Sequence, residues 1–167
     1  MLNDFACDFV IVGHSERRAL YCETNEVVAE KCAAAQRSGI VPILCVGETY
    51  EQREAGITEK IIKAQLDAII KLIGIDFFNK AVIAYEPVWA INNKDNLSLD
   101  SNGLHSMVVY IRRLLTERFG EPTAKAVRIL YGGSVTPQNA QDILWNGEVQ
   151  GLLIGRASWT PSSLSEI

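Results

Sequence analysis

Residues 127–137 read Val127-Arg128-Ile129-Leu130-Tyr131-Gly132-Gly133-Ser134-Val135-Thr136-Pro137, and three kinds of residue follow one another in it. A run rich in branched and aromatic side chains has the length of a strand. Two glycines and a serine then break it. A threonine followed by proline opens a helix, because proline tolerates the first helical position and threonine caps it. Strand, polar turn and helix start make one βα unit.

The same grammar recurs in both directions. Phe9-Val10-Ile11-Val12-Gly13 leads into His14-Ser15-Glu16, and Val41-Pro42-Ile43-Leu44-Cys45-Val46 into Gly47-Glu48. Ala81-Val82-Ile83-Ala84-Tyr85 ends on Glu86, and Gly151-Leu152-Leu153-Ile154-Gly155 on Arg156. Near-continuous apolar runs of this kind belong to parallel strands covered on both faces. Helical segments separate them. Thr24 or Asn25 caps one that runs through Ala35 and stops at Gly39, and Thr58 caps another with Ile61, Ile62, Leu66, Ile69, Ile70 and Ile73 on one stripe. Asp100 or Ser101 starts a third, with Leu104, Met107, Val108, Ile111, Leu114 and Leu115 on one face; Thr160-Pro161 opens the last.

Five βα units predict an α/β fold, either an open doubly wound sheet or part of a closed eight-stranded barrel. Periodicity does not separate the two. The polar residues do, because they cluster after every strand. A barrel assembles its site from several strand ends, whereas an open sheet uses the crevice at one switch point. No G-x-G-x-x-G occurs, which weakens the dinucleotide-binding alternative.

Composition narrows the function. The 167 residues suit one domain, 1–167, with 48% hydrophobic residues and a net charge of −4. No basic run offers a footprint for nucleic acid or an anionic membrane, and no stretch approaches a membrane span. The opening residues MLNDFACDF lack the pattern of a signal peptide, so a cytoplasmic location is expected. Cys7, Cys22, Cys32 and Cys45 follow no ligand spacing and read as reduced packing residues, with no metal site.

Glu86 stands in Ala84-Tyr85-Glu86-Pro87-Val88-Trp89-Ala90, at a strand end, held by proline and walled by tryptophan. Such a carboxylate gains basicity when water is excluded, as a general base requires. Taken alone, a glutamate before proline is more often a solvated loop residue. His14 follows a strand and precedes a helix, where the local dipole favours a neutral imidazole that donates a hydrogen bond. A structural histidine is the plainer alternative. Gly132-Gly133-Ser134 and Gly155-Arg156 offer backbone N–H groups for an anion, or are simply turns. Glu48 and Arg53 read as a pair at the surface or backing the site, and Cys45 as core.

VGHSERR (12–18), PILCVGE (42–48), AYEPVWAI (84–91), RILYGGSV (128–135) and GLLIGRAS (151–158) resemble successive blocks of the triosephosphate isomerases, in order and across the whole chain. The resemblance implies part of a (β/α)8 barrel, strands four to eight, in a single incomplete domain. It also implies cofactor-free and metal-free interconversion of dihydroxyacetone phosphate and glyceraldehyde 3-phosphate, a glycolytic and gluconeogenic step, and a homodimer. Glu86 would be the base, His14 the electrophile and Glu16 a carboxylate ordering their network. Gly133, Ser134 and Gly155 would hold the phosphate. Asn92 and Arg156 fall in the same region but depart from the family pattern, at an altered lid (Ile91 to Leu97) and at a position where a second glycine is usual.

By the same resemblance about a third of the family's length, with a strand-one asparagine and lysine, precedes the first residue here. Without that lysine the transition state loses a contact worth about 2–4 kcal/mol, by analogy with a lost oxyanion donor. A complementary N-terminal segment or a second copy is therefore an expected partner. Two rival functions are an isomerase of a longer sugar phosphate and an inactive homologue that binds phosphate or a protein partner.

Overall fold

The computed structural model describes residues 2–91 and 99–167. Four strands, β1 (Phe9–Val12), β2 (Val41–Val46), β3 (Val82–Tyr85) and β4 (Arg128–Tyr131), form one parallel sheet in the order β1-β2-β3-β4. The crossovers are helical: α1 (Ser15–Tyr21) and α2 (Asn25–Arg37), α3 (Tyr50–Glu54) and α4 (Thr58–Ile73), then α5 (Ser101–Phe119) and α6 (Glu121–Ala126). After β4 come α7 (Pro137–Asn146) and α8 (Pro161–Glu166). Consecutive strands are neighbours, as short βα crossovers of one hand dictate.

The fifth expected strand is reduced to one rung. Leu152 bridges Tyr131, with Leu153 N–H donating to Tyr131 O at 2.8 Å and Tyr131 N–H to Gly151 O at 3.1 Å. Glycines at both ends and no strand on the outer side leave nothing to propagate the ladder. The sheet is consequently open, with four full strands and a fifth begun.

Alternation along each strand separates two faces. Leu44, Val46, Ile83, Tyr85, Ile129 and Tyr131 are buried beneath the helices. That packing follows from the stripes on α4 and α5, where Ile62, Leu66, Ile69, Leu104 and Ile111 join the same core. The other face is concave. Three strand spacings, about 14 Å if flat, separate β1 from β4, yet the Arg128 guanidinium stands 5.9 Å from the centre of the Phe9 ring. On the β1 edge of this face Phe9 and Ile11 remain 48% and 46% exposed.

Caps set most of the boundaries. Thr24 accepts from Val27 N–H, Thr49 from Gln52 N–H, and Asp100 from Gly103 N–H. Thr58 is not a cap: it lies inside α4, and Ile57 precedes it with no side-chain bond. Cys22 ends α1 in the left-handed region (φ 53°) and is exposed, so it is not the packing residue expected; Cys32 and Cys45 are buried. No helix among the described residues is long and apolar enough to cross a membrane.

Candidate active site

The polar ends of the strands converge as the ladder runs out. Glu86 N–H donates to Val46 O at 2.7 Å and Gly132 N–H to Tyr85 O at 2.8 Å, so the two residues sit on the last rungs beside β2 and β3. The fit needs glycine twice. A Cβ on Gly47 would stand 1.7 Å from Glu86 O, and one on Gly132 would stand 2.7 Å from Glu86 Cγ. Both distances are shorter than any real contact, so the Glu86 side chain lies flush against Gly132 and its main-chain carbonyl flush against Gly47.

Glu86 is 2% exposed. Its Oε2 accepts from Ser15 N–H at 3.2 Å, and the Cys45 thiol hydrogen-bonds to the carboxylate. Oε1 accepts no hydrogen bond among the described residues, although His14 Nε2 lies 3.3 Å from it. Burial raises the carboxyl pKa above its ordinary value, and His14, Ser15 N–H, Cys45 and Arg18 offset part of that rise. Burial, with the same carboxylate beside it, pushes the Cys45 thiol well up, so Cys45 is a donor and not a thiolate.

His14 caps α1 through its ring. Nδ1 accepts from Glu16 N–H at 3.3 Å, which leaves that nitrogen without a proton and places the ring N–H of the neutral form on Nε2. Glu16 thus meets the imidazole through its main chain. Its carboxylate is exposed and makes no hydrogen bond among the described residues, in contrast to the ordering role expected of it.

His14 and Glu86 line a cavity of about 520 Å³ that Gly133, Ser134, Gly155 and Arg156 also line. Gly133 and Ser134 precede α7, where Thr136 N–H donates to Asn139 Oδ1 at 2.8 Å and Asn139 Nδ2 to Ser134 O at 3.0 Å, bracing the turn. Arg156 is exposed and, among the described residues, is the only lysine or arginine lining this cavity. It begins a short 3₁₀ turn, Arg156–Trp159. Asn92 and the rest of the expected lid tip lie outside the described residues. Among the described residues no group of three or more His, Cys, Asp or Glu side chains has the arrangement of a metal site.

Behind the cavity, Glu48 is fully buried. It accepts from Tyr85 Oη at 3.1 Å and from Trp89 Nε1 at 2.8 Å, and pairs with Arg53 Nη1 at 3.4 Å. The Arg53 guanidinium also stacks on the Trp89 ring, 4.6 Å from its centre. Of the two readings of Glu48 and Arg53 the backing role is the observed one, since Val88 N–H donates to Glu48 O at 3.0 Å and Trp89 Nε1 to its carboxylate, just after Glu86 in the chain.

Read against known proteins, the chain matches the family model described as triosephosphate isomerase over residues 1–167. The chain belongs to the triosephosphate isomerase family. It is 46% identical, over its whole length, to the triosephosphate isomerase of Alkalilimnicola ehrlichii, of which it covers 66%. With 95% of the chain aligned, it is 48% identical to that of Magnetococcus marinus and 49% to that of Shewanella amazonensis, covering 62% and 60% of them. The chain therefore spans less than two thirds of the length of these triosephosphate isomerases. The matches carry the family and this share of length; they do not carry the placement of the first residue at the family's fourth strand.

Within that family the participants that sequence reasoning missed are Ser15 through its N–H, the Cys45 thiol, and Arg18. Ser15 and Arg18 were in view inside VGHSERR but carried no signal of their own. Cys45 had one: alternation along β2 puts Ile43 and Cys45 on the concave face, and Cys45 is level with Ala84, two residues short of Glu86.

Proposed function

We propose that this cavity interconverts dihydroxyacetone phosphate and glyceraldehyde 3-phosphate without a cofactor, by proton transfer through an enediolate. The observation that carries the reading is the unsatisfied oxygen of Glu86. A buried carboxylate oxygen that lacks a donor costs about 1–3 kcal/mol, and here it faces His14 Nε2 at 3.3 Å in an open cavity. A free lone pair on a carboxylate of raised pKa is what a base needs to take a proton from a carbon acid.

The steps follow from the two groups. Glu86 Oε1 removes the proton from the carbon beside the carbonyl, and the carbonyl π electrons move onto oxygen. His14, with its proton on Nε2, hydrogen-bonds to that oxygen and stabilises the enediolate. Glu86 then returns the proton to the neighbouring carbon while the hydroxyl proton shifts from one enediolate oxygen to the other along His14, which leaves the carbonyl where the hydroxyl stood. The phosphate lies in the same cavity, on Gly133, Ser134 and Gly155, with Arg156 as the adjacent cation. Asn92 would add to that group. Glu16 acts through its N–H on the imidazole.

A partner completes the site. Half-exposed Phe9 and Ile11, on an edge unpaired among the described residues, suit a complementary segment, such as the part of its relatives that this chain does not cover, that adds strands beside β1. The test is turnover of glyceraldehyde 3-phosphate by the purified chain, alone and with that segment supplied from a relative. Ketose production that rises with the segment is expected. Turnover of a tetrulose phosphate in its place selects the longer-sugar isomerase, and phosphate binding with no turnover in either arm selects the non-enzymatic homologue.

A further inference from the structure

Arg18 lies under the pair, outside the substrate cavity. Its Nε donates to Gly13 O at 2.8 Å, its Nη1 to Asn25 Oδ1 at 2.8 Å, and its Nη2 reaches Cys45 O at 3.5 Å. Gly13 immediately precedes His14, and Cys45 carries the thiol that hydrogen-bonds to Glu86. One rigid fork of donors therefore spans the ends of β1 and β2 on which the two reacting groups depend, a geometry that a single ammonium cannot reproduce.

We propose that Arg18 is a positioning residue for the Glu86–His14 pair, clamping the Gly13–His14 turn to β2 and supplying a half-buried positive charge that acts on Glu86. The proposal rests on the reading of Glu86 as the base. The charges around it are few. Cys45, Glu23, Glu86 and Cys32 act on Arg18, and His14, Ser15 N–H, Cys45 and Arg18 act on Glu86. Both thiols stay protonated in their buried places, so Glu23 and Glu86 are the anions that Arg18 meets. Glu23 is already held by Arg17 and Lys31. Of the described groups that act on Glu86, Arg18 is thus the permanent cation, because His14 is charged only when protonated and a guanidinium does not lose its proton in a protein.

The test reads the carboxyl and the backbone directly. Carbon-13 NMR of labelled glutamates, assigned with Glu86→Gln, gives the titration midpoint of Glu86, and hydrogen exchange gives protection at Ser15 and Glu16. In Arg18→Gln the midpoint moves up from its native value and the two amides exchange at least about tenfold faster. Arg18→Lys, which keeps a charge and loses the fork, brings the midpoint back toward native while exchange stays fast. A folded Arg18→Gln protein with an unchanged midpoint overturns the electrostatic role, and native exchange rates in Arg18→Lys overturn the clamp. If Arg18→Gln does not fold, the exchange rates in Arg18→Lys decide. Neither readout needs turnover, so inactivity both with and without the complementary segment sinks the isomerase reading without altering these two measurements, and an active chain with a native midpoint in Arg18→Gln does the reverse.

Discussion

On the helix side of the sheet Ile83, Ile129, Leu44 and Tyr85 are sealed by α4 and α5, while on the concave side Phe9 and Ile11 stand nearly half in solvent. The chemistry is all on the second side. Glu86, His14, Gly133 and Gly155 surround a cavity whose wall includes Ile11 itself. One face thus holds the domain together through apolar burial, and the other holds an acid in an environment that raises its pKa. The difference teaches that stability and site are separable here: the helices and the sheet fix the strand ends, and the cavity side carries costs the rest of the fold absorbs.

The sharpest way to break this contrast is a pair of truncations. Ile83→Ala should lose about 2–5 kcal/mol, the range for deleting a fully buried branched side chain, whereas Ile11→Ala should lose under about 1 kcal/mol. Urea unfolding of the two variants checks this, and equal losses would erase the distinction between the faces.

Next in size is the ion cluster at the β1 edge. Glu23 is buried against Lys31 and against Arg17 Nε, the latter at 2.6 Å. The Lys31 hydrogen bond is the main reason its pKa lies below the usual carboxylate range. A depressed folded pKa gives stability that is present above the unfolded pKa and lost as pH falls through the folded one. Glu23→Gln should cost about 1–3 kcal/mol at neutral pH, with the difference from the native chain vanishing in acid; thermal melts across pH follow it.

Glu86 should act with the opposite sign. Burial raises its folded pKa, so the native state binds the proton more tightly than the unfolded chain does. Its stabilising contribution is then full below the unfolded pKa and declines as pH rises through the folded one. Glu86→Gln should therefore be more stable than the native chain at neutral pH, by on the order of 1 kcal/mol, and equal to it in acid. Paired denaturation curves at both pH values measure this; a variant less stable at neutral pH would remove the claim that the site carries a cost.

The smallest effect sharpens the picture of the bare face. Ile11→Lys should change stability by less than about 0.5 kcal/mol while lowering the binding of an apolar fluorescent dye. Undiminished dye binding would move the exposed patch elsewhere, for example to Trp145 and Trp159.

Much of this was legible in residue order. Apolar runs ending in glycine or a charged residue marked β1 to β4, because buried parallel strands need continuous apolar sequence and their ends need turns. Glu86 and His14 were legible as strand-end groups, and the structure brings them within 3.3 Å of each other. The run from Gly151 to Gly155 was over-read, since whether a strand propagates depends on a neighbour that its own residues do not encode. Thr58 misled for a similar reason: a good capping residue one position late serves as the first residue of the helix. The exposure of the Glu16 carboxylate, the burial of Glu48 and the reach of Arg18 depend on side-chain direction, which the three-dimensional packing decides.

Solvent isotope uptake tests the role of Glu86 most directly. Substrate incubated in deuterium oxide with the chain and its complementary segment should gain deuterium at the carbon beside the carbonyl, followed by NMR, and the Glu86→Gln protein should slow that uptake by at least about a hundredfold. Equal uptake by both proteins would show that another group takes the proton.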